Sequence, residues 1–202
     1  MTDLNPHAKQ MADESMVRNL AAQTQAIWPQ EVELIRRYAL PAEARILDAG
    51  CGTGEASSRL AELKRATRPG GRLHLIPEDY GMLHFQRGVL DPLDFWHEAP
   101  AQFGEADGTD LFIGRNAYGI LARLGLADIT VDYVVVDTVR VPRETFAAIL
   151  GAWRDGYVDP IAERTRFTRE QAAAYFEQMI ANIRDPHGYA VWMVPVVSAR
   201  VP

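Results

Sequence analysis

The chain contains a single cysteine, Cys51, which excludes an internal disulfide and any cysteine-based zinc site. Its five histidines show no metal-ligand spacing, so no metal is expected. Basic residues are in the minority, with 21 Lys and Arg against 27 Asp and Glu, and no basic cluster carries interleaved aromatics. A net charge of −6 and a pI near 5.4 argue against nucleic acid or an anionic membrane as a partner. No apolar run approaches membrane-spanning length, and the opening residues M-T-D-L-N-P-H-A-K-Q hold no apolar signal core. The expected setting is the cytoplasm. What remains is ordinary for a globular protein: 202 residues, 48% hydrophobic and 24% charged, enough for one domain with a substantial core and an elaboration.

Residues 15–27 read as a short amphipathic helix, and Pro29 suits the first position of a second helix running to about Leu40. A strand is expected over 45–49. A helix follows over 55–67, with apolar Ala56, Leu60 and Leu63 on one face. Arg68-Pro69-Gly70-Gly71 stops that helix, and 72–76 reads as a strand. The stretch 77–109 shows little periodicity, and a segment of that length is functional or partly helical. Further on, 110–124 reads as a helix ended by Gly125, and 128–138 as a β-branched strand. Helices are expected over 142–156 and 168–184, the second opened by a capping box of Thr168 and Gln171, and a last strand over 188–199. This is an α/β pattern with helices on a mostly parallel sheet. It divides into N-terminal cap helices (1–44), a core (45–140) with an insert at 77–109, a helical insert (141–187) and a last core strand (188–202).

The segment 45–55, R-I-L-D-A-G-C-G-T-G-E, carries the strongest chemical signal. A short apolar strand feeds a turn of alternating glycines, whose missing Cβ atoms let backbone approach a ligand. The helix that follows would present unpaired N–H groups and a partial positive charge. This segment resembles motif I of the class I S-adenosylmethionine-dependent methyltransferases, in their small-molecule branch. Residues 63–76, L-K-R-A-T-R-P-G-G-R-L-H-L-I, are similar to that family's helix, Pro-Gly-Gly turn and fifth strand. The tail of strand, helical insert and final strand is similar as well. The resemblance implies a shortened Rossmann-like fold with a small mostly parallel sheet, an antiparallel last strand and a helical insert before it. It also implies S-adenosylmethionine as cofactor and methyl transfer to a small-molecule acceptor.

The chain departs from the family between these segments. Several strand-helix units normally separate motif I from the Pro-Gly-Gly turn, whereas a single helix length separates Gly54 from Pro69 here. At roughly 25–30 residues per unit, about three units are absent. They would carry the acid for the ribose hydroxyls and the acid near the adenine amino group. The first acids after the shortened stretch are Glu78 and Asp79. If the 72–76 strand takes the place of the family's second strand, one of them binds ribose; if it takes the place of the fifth, they line the acceptor side. A sheet this small, covered on one face by the fused helix, also suggests a homodimer, in one form domain-swapped.

The residues implied for the cofactor are therefore Asp48, Gly50, Cys51, Gly52, Thr53, Gly54, Glu78 and Asp79. The long insert supplies Tyr80, His84 and His97 as candidates for the acid-base role. Tyr80, Trp96, Arg115 and Tyr118 are candidates for the acceptor pocket, with Arg115 able to clamp a carboxylate. His74, inside an apolar strand, reads as a satisfied core histidine, and Trp153 and Tyr157 read as core. The alternative function is a non-catalytic methyltransferase-like protein that binds a ligand or assembles with itself. A nicotinamide-dependent dehydrogenase fits less well, because G-C-G-T-G lacks the G-x-G-x-x-G spacing.

Overall fold

The computed structural model describes residues 14–45 and 65–202. In chain order these form helix α1 (Glu14–Arg36), strand β1 (Arg72–Leu75), a 3-10 turn (Tyr80–Met82) and strand β2 (Leu83–Phe85). Helices α2 (Pro92–Asp107) and α3 (Ile113–Arg123) follow, then strand β3 (Ala127–Asp137), helices α4 (Arg143–Arg164) and α5 (Arg169–Arg184), and strand β4 (Ala190–Arg200). The expected strand over 45–49 (beyond Arg45 itself), the glycine turn and most of the helix over 55–67 lie outside the described residues.

Strand β4 is the hub of the sheet. It pairs with β3 along its length, from Ala127 opposite Arg200 to Asp137 opposite Val191. On its other side β1 pairs with one end, Arg72 opposite Arg200, and β2 with the other end, Leu83 opposite Trp192. All of these pairings are antiparallel. The expectation of a mostly parallel sheet is thereby corrected for the described residues. β1, β2 and β3 do run in one direction, but β4 is inserted between them and separates them. The antiparallel last strand is present and takes the central place, where its unbroken apolar run 190–197 suits burial on both faces.

The two faces carry different helices. Ala190, Trp192, Val194 and Val196 of β4 join Val134 and Val136 of β3 in a core packed against residues of α1, α2, α4 and α5. Val197 and Ala199 point the other way and meet Leu73, Ala117, Ile120 and Leu121, so α3 covers that face. Val131 and Tyr133 of β3 stay exposed.

Helix α1 is continuous, where two helices meeting at Pro29 were expected. Proline removes one N–H and leaves the Gln25 carbonyl without a helical donor. Both residues are on the exposed side, where water can satisfy that carbonyl, while Ala22, Ala26 and Leu34 hold the opposite side in the core. The helix also guards the outer edge of β3. Gln30 donates from Nε2 to the Val135 carbonyl (2.8 Å) and accepts from the Val135 N–H (3.1 Å), in the manner of a further strand. Just beyond α1, Tyr38 Oη lies 2.7 Å from His74 Nδ1, and Glu31 Oε1 lies 3.0 Å from His74 Nε2. His74 is the satisfied histidine its strand context implied.

The segment 77–109, which showed little periodicity, contains α2. Asp91 caps its start by accepting from the Leu93 N–H (3.1 Å), Pro92 occupies the first turn, and Gly108 ends it at φ 70°. Helix α4 runs past Gly156, the expected end, because Gly156 is buried and Val158 and Ile161 continue the apolar face. The capping box of Thr168 and Gln171 is formed as read. No helix among the described residues is long and apolar enough to cross a membrane.

Candidate functional site

Between β1 and β2 the chain leaves the sheet, opposite residues 193–196 of β4. Pro195 lies in that stretch and has no N–H to offer a ladder. The excursion carries Glu78, Asp79 and Tyr80, and these three side chains meet different surroundings.

Asp79 is fully buried. Its carboxylate accepts from the backbone N–H groups of Gly81 (3.0 Å) and Arg115 (3.1 Å). It also receives the Arg115 guanidinium through Nε (2.8 Å) and Nη2 (2.6 Å). Phe112, at the start of α3, makes no side-chain cap, so Asp79 caps this helix from a distance in sequence. Gly114 allows the approach: a Cβ there would lie 2.9 Å from the Asp79 Cβ and 2.8 Å from Pro195 Cγ.

Glu78 takes the other direction. Tyr80 donates its hydroxyl to Glu78 Oε2 (2.7 Å). Burial pushes the Glu78 carboxyl above its usual range, opposed in part by the Tyr80 hydroxyl and by Gln23 of α1. Gln23 Nε2 is buried without a partner at full hydrogen-bonding distance. Burial, and then the Glu78 charge, push the Tyr80 and Tyr157 hydroxyls well above the normal phenol range. Neither phenol ionises near neutrality, and Tyr80 acts as a hydrogen-bond donor.

Tyr80 and Tyr157 line a cavity of about 50 Å³ that is partly open to solvent. Tyr80 and Leu111 form one part of its wall. Helix α2 contributes Phe95, Trp96, Ala99, Pro100 and Phe103; α4 contributes Trp153, Tyr157 and Ile161; α5 contributes Phe176. The rings brace each other. Tyr80 stacks on Trp96 with centroids 5.7 Å apart, Trp153 tilts against Tyr80 at 5.4 Å, and Trp96 Nε1 donates to Met179 Sδ (3.0 Å). The wall is mostly apolar, and the Tyr80 hydroxyl at its edge donates to Glu78.

The structure sorts the expected site residues. Tyr80 and Trp96 come together in the cavity wall. His84 and His97 do not join them: both are exposed, because His84 alternates outward from buried Leu83 on β2, and His97 turns away from buried Trp96 on α2. Arg115 does not clamp a ligand carboxylate, since its guanidinium is held by Asp79 and lies 4.7 Å over the Phe112 ring. Tyr118 projects to solvent on α3, away from the buried Ala117 and Leu121. Glu78 accepts from the Tyr80 hydroxyl and is not among the residues that line the cavity. Asp79 has four donors already and presents nothing to a ribose. Asp48, Gly50, Cys51, Gly52, Thr53 and Gly54 lie outside the described residues.

Trp153 and Tyr157, read as core, line the cavity, as do Phe95, Phe103 and Phe176. A signal for them was present. Trp153, Tyr157 and Ile161 are spaced i, i+4, i+8 on one helix face, as are Phe95, Ala99 and Phe103. Among the described residues no group of three or more His, Cys, Asp or Glu side chains is placed to hold a metal ion. No protein-family model matches this chain, and no curated protein matches it.

Proposed function

We propose that this chain is an S-adenosylmethionine-dependent methyltransferase, or a shortened relative of one, acting on a small molecule held in the aromatic cavity. The observation that carries the proposal is that aromatic-lined cavity, which Tyr80 joins just past the end of β1. The motif-like segment at 45–55 supports the same reading. A shortened Rossmann-like core and a cytoplasmic setting belong to the same proposal.

S-adenosylmethionine supplies the methyl group when bound. Among the described residues, the acids at the end of β1 are already engaged, Asp79 by Arg115 and Glu78 by the Tyr80 hydroxyl. The donor's place in this proposal rests on Asp48 and the glycine turn. The chain's own contribution is to orient the acceptor between ring walls, with the Tyr80 hydroxyl as a polar group at the wall.

Calorimetric titration with S-adenosylmethionine and S-adenosylhomocysteine tests the proposal. Binding is expected at high micromolar ligand, with Asp48→Ala abolishing it. No heat at that concentration overturns the enzyme reading. It would favour the alternative of a non-catalytic ligand-binding relative, which the engagement of Asp79 by Arg115 already recommends.

A further inference from the structure

The aromatic cavity is electrically neutral as well as apolar. Seven of its eleven lining residues are aromatic, the rest are Ala, Pro, Leu and Ile, and none carries a charge. Two of its polar groups are already engaged: the Tyr80 hydroxyl donates to Glu78 and the Trp96 N–H to Met179. The cation behind the wall is paired as well, since Arg164 lies over the Phe103 ring with Asp107 3.0 Å away. A charged group entering such a space would leave its hydration shell without gaining a countercharge, which is costly.

The walls also fix its size. Trp96 packs against Phe95 and Trp153, with ring centroids 5.1 and 6.0 Å away, and Trp153 leans on Trp192 at 5.3 Å. Phe95, Trp96, Trp153 and Phe176 are all buried, so packed neighbours stand behind them. Rings held in this way have little room to swing aside. The space of about 50 Å³ takes roughly three to five water-sized groups, against about 150 Å³ in a cavity that admits benzene.

We propose that the cavity is a size-limited seat for an uncharged alkyl group of about three to five carbon atoms, with the rest of its ligand left at the open mouth. The ligand class is a neutral small molecule with a short or branched aliphatic end, rather than a cation, an anion or a free aromatic ring. The methyl acceptor carries that end, an assignment that rests on the cavity's role in the proposed function.

The test uses the whole chain without any methyl donor. Straight-chain alcohols from ethanol to octanol are titrated at millimolar concentration by saturation-transfer NMR. Binding should tighten about fourfold with each added methylene up to butanol or pentanol, and then level off. Butylammonium and butyrate should bind at least about tenfold more weakly than butanol. Ala99→Leu, verified as folded by circular dichroism, fills the same space and should abolish butanol binding. Affinity that keeps rising at the same rate through octanol overturns the proposal, as does a charged analogue that binds as tightly as butanol. Absence of alcohol binding overturns it, and so does undiminished butanol binding by folded Ala99→Leu. The wild-type series decides alone if that variant does not fold. Failure of S-adenosylmethionine to bind would overturn the proposed function and leave the alkyl seat standing. Failure of the alcohol series with S-adenosylmethionine still bound would overturn the seat and leave the proposed function standing.

Discussion

Arg115 grips Asp79 with two guanidinium nitrogens at 2.8 and 2.6 Å, and its own backbone N–H adds a third contact to the same carboxylate at 3.1 Å. One acid thus caps α3 and ties it to the end of β1. The Arg115 side chain is half exposed, so water weakens the charge attraction, and the main loss on removing Asp79 comes from buried N–H groups left unpaired. Asp79→Ala should destabilise the protein by roughly 2–3 kcal/mol. A urea midpoint unchanged from wild type would contradict this account of the helix start.

The Glu78 carboxyl has a folded pKa raised by burial. Its contribution to stability is therefore fully present below the unfolded value and is lost as pH rises through the folded one. Glu78→Gln imitates the protonated carboxyl and keeps an acceptor for Tyr80. Its melting temperature should exceed that of wild type at neutral pH, and the gap should close in acid. A gap independent of pH between acid and neutrality would show that burial does not penalise this charge.

Two glycines provide a matched pair. At Gly114 an added Cβ would lie 2.8 Å from Pro195 Cγ and 3.0 Å from the Pro77 carbonyl oxygen, whereas at Gly151 nothing lies within 4 Å. Gly114→Ala should cost about 1–3 kcal/mol through overpacking. Gly151→Ala, inside α4, should stabilise by about 0.5–1 kcal/mol through helix propensity. Chemical denaturation of both variants checks the contrast, and the same sign for both would refute it.

Tyr38 and His74 fasten the end of α1 to the edge strand β1. Tyr38→Phe should cost about 1 kcal/mol, and almost nothing when His74 is already replaced by Ala. A double-mutant cycle measures the coupling; independent, additive losses would mean the contact contributes nothing.

The elements from α3 to β4 were legible because each carries a period and a boundary. Gly125 closes the α3 region, β-branched residues fill β3, and Thr168 with Gln171 opens α5. Helix α2 was harder to see because Pro92 and Pro100 read as breakers, although Pro92 sits in the first turn after an Asp91 cap. The interior of the sheet was misjudged for a different reason. An apolar run such as 190–197 announces burial on both faces but says nothing of which strands will flank it. At the site, Tyr80 was singled out from its place after the β1 strand and Trp96 from the long insert. Arg115 was misassigned because its partner Asp79 is distant in sequence, and the opposite surroundings of Glu78 and Asp79 depend on tertiary packing alone.

The central position of β4 also bears on how the chain reaches its native state. Among the described residues, β1, β2 and β3 pair with no strand other than β4, so their ladders cannot form until Ala190–Arg200 has been synthesised. Until that strand emerges, the nascent polypeptide carries β1, β2 and β3 with open edges, and contacts of such long sequence separation close slowly. A ribosome stalled before Ala190 would leave a bundle of helices with no sheet among these residues. Such a product would be a natural client for chaperones and proteases.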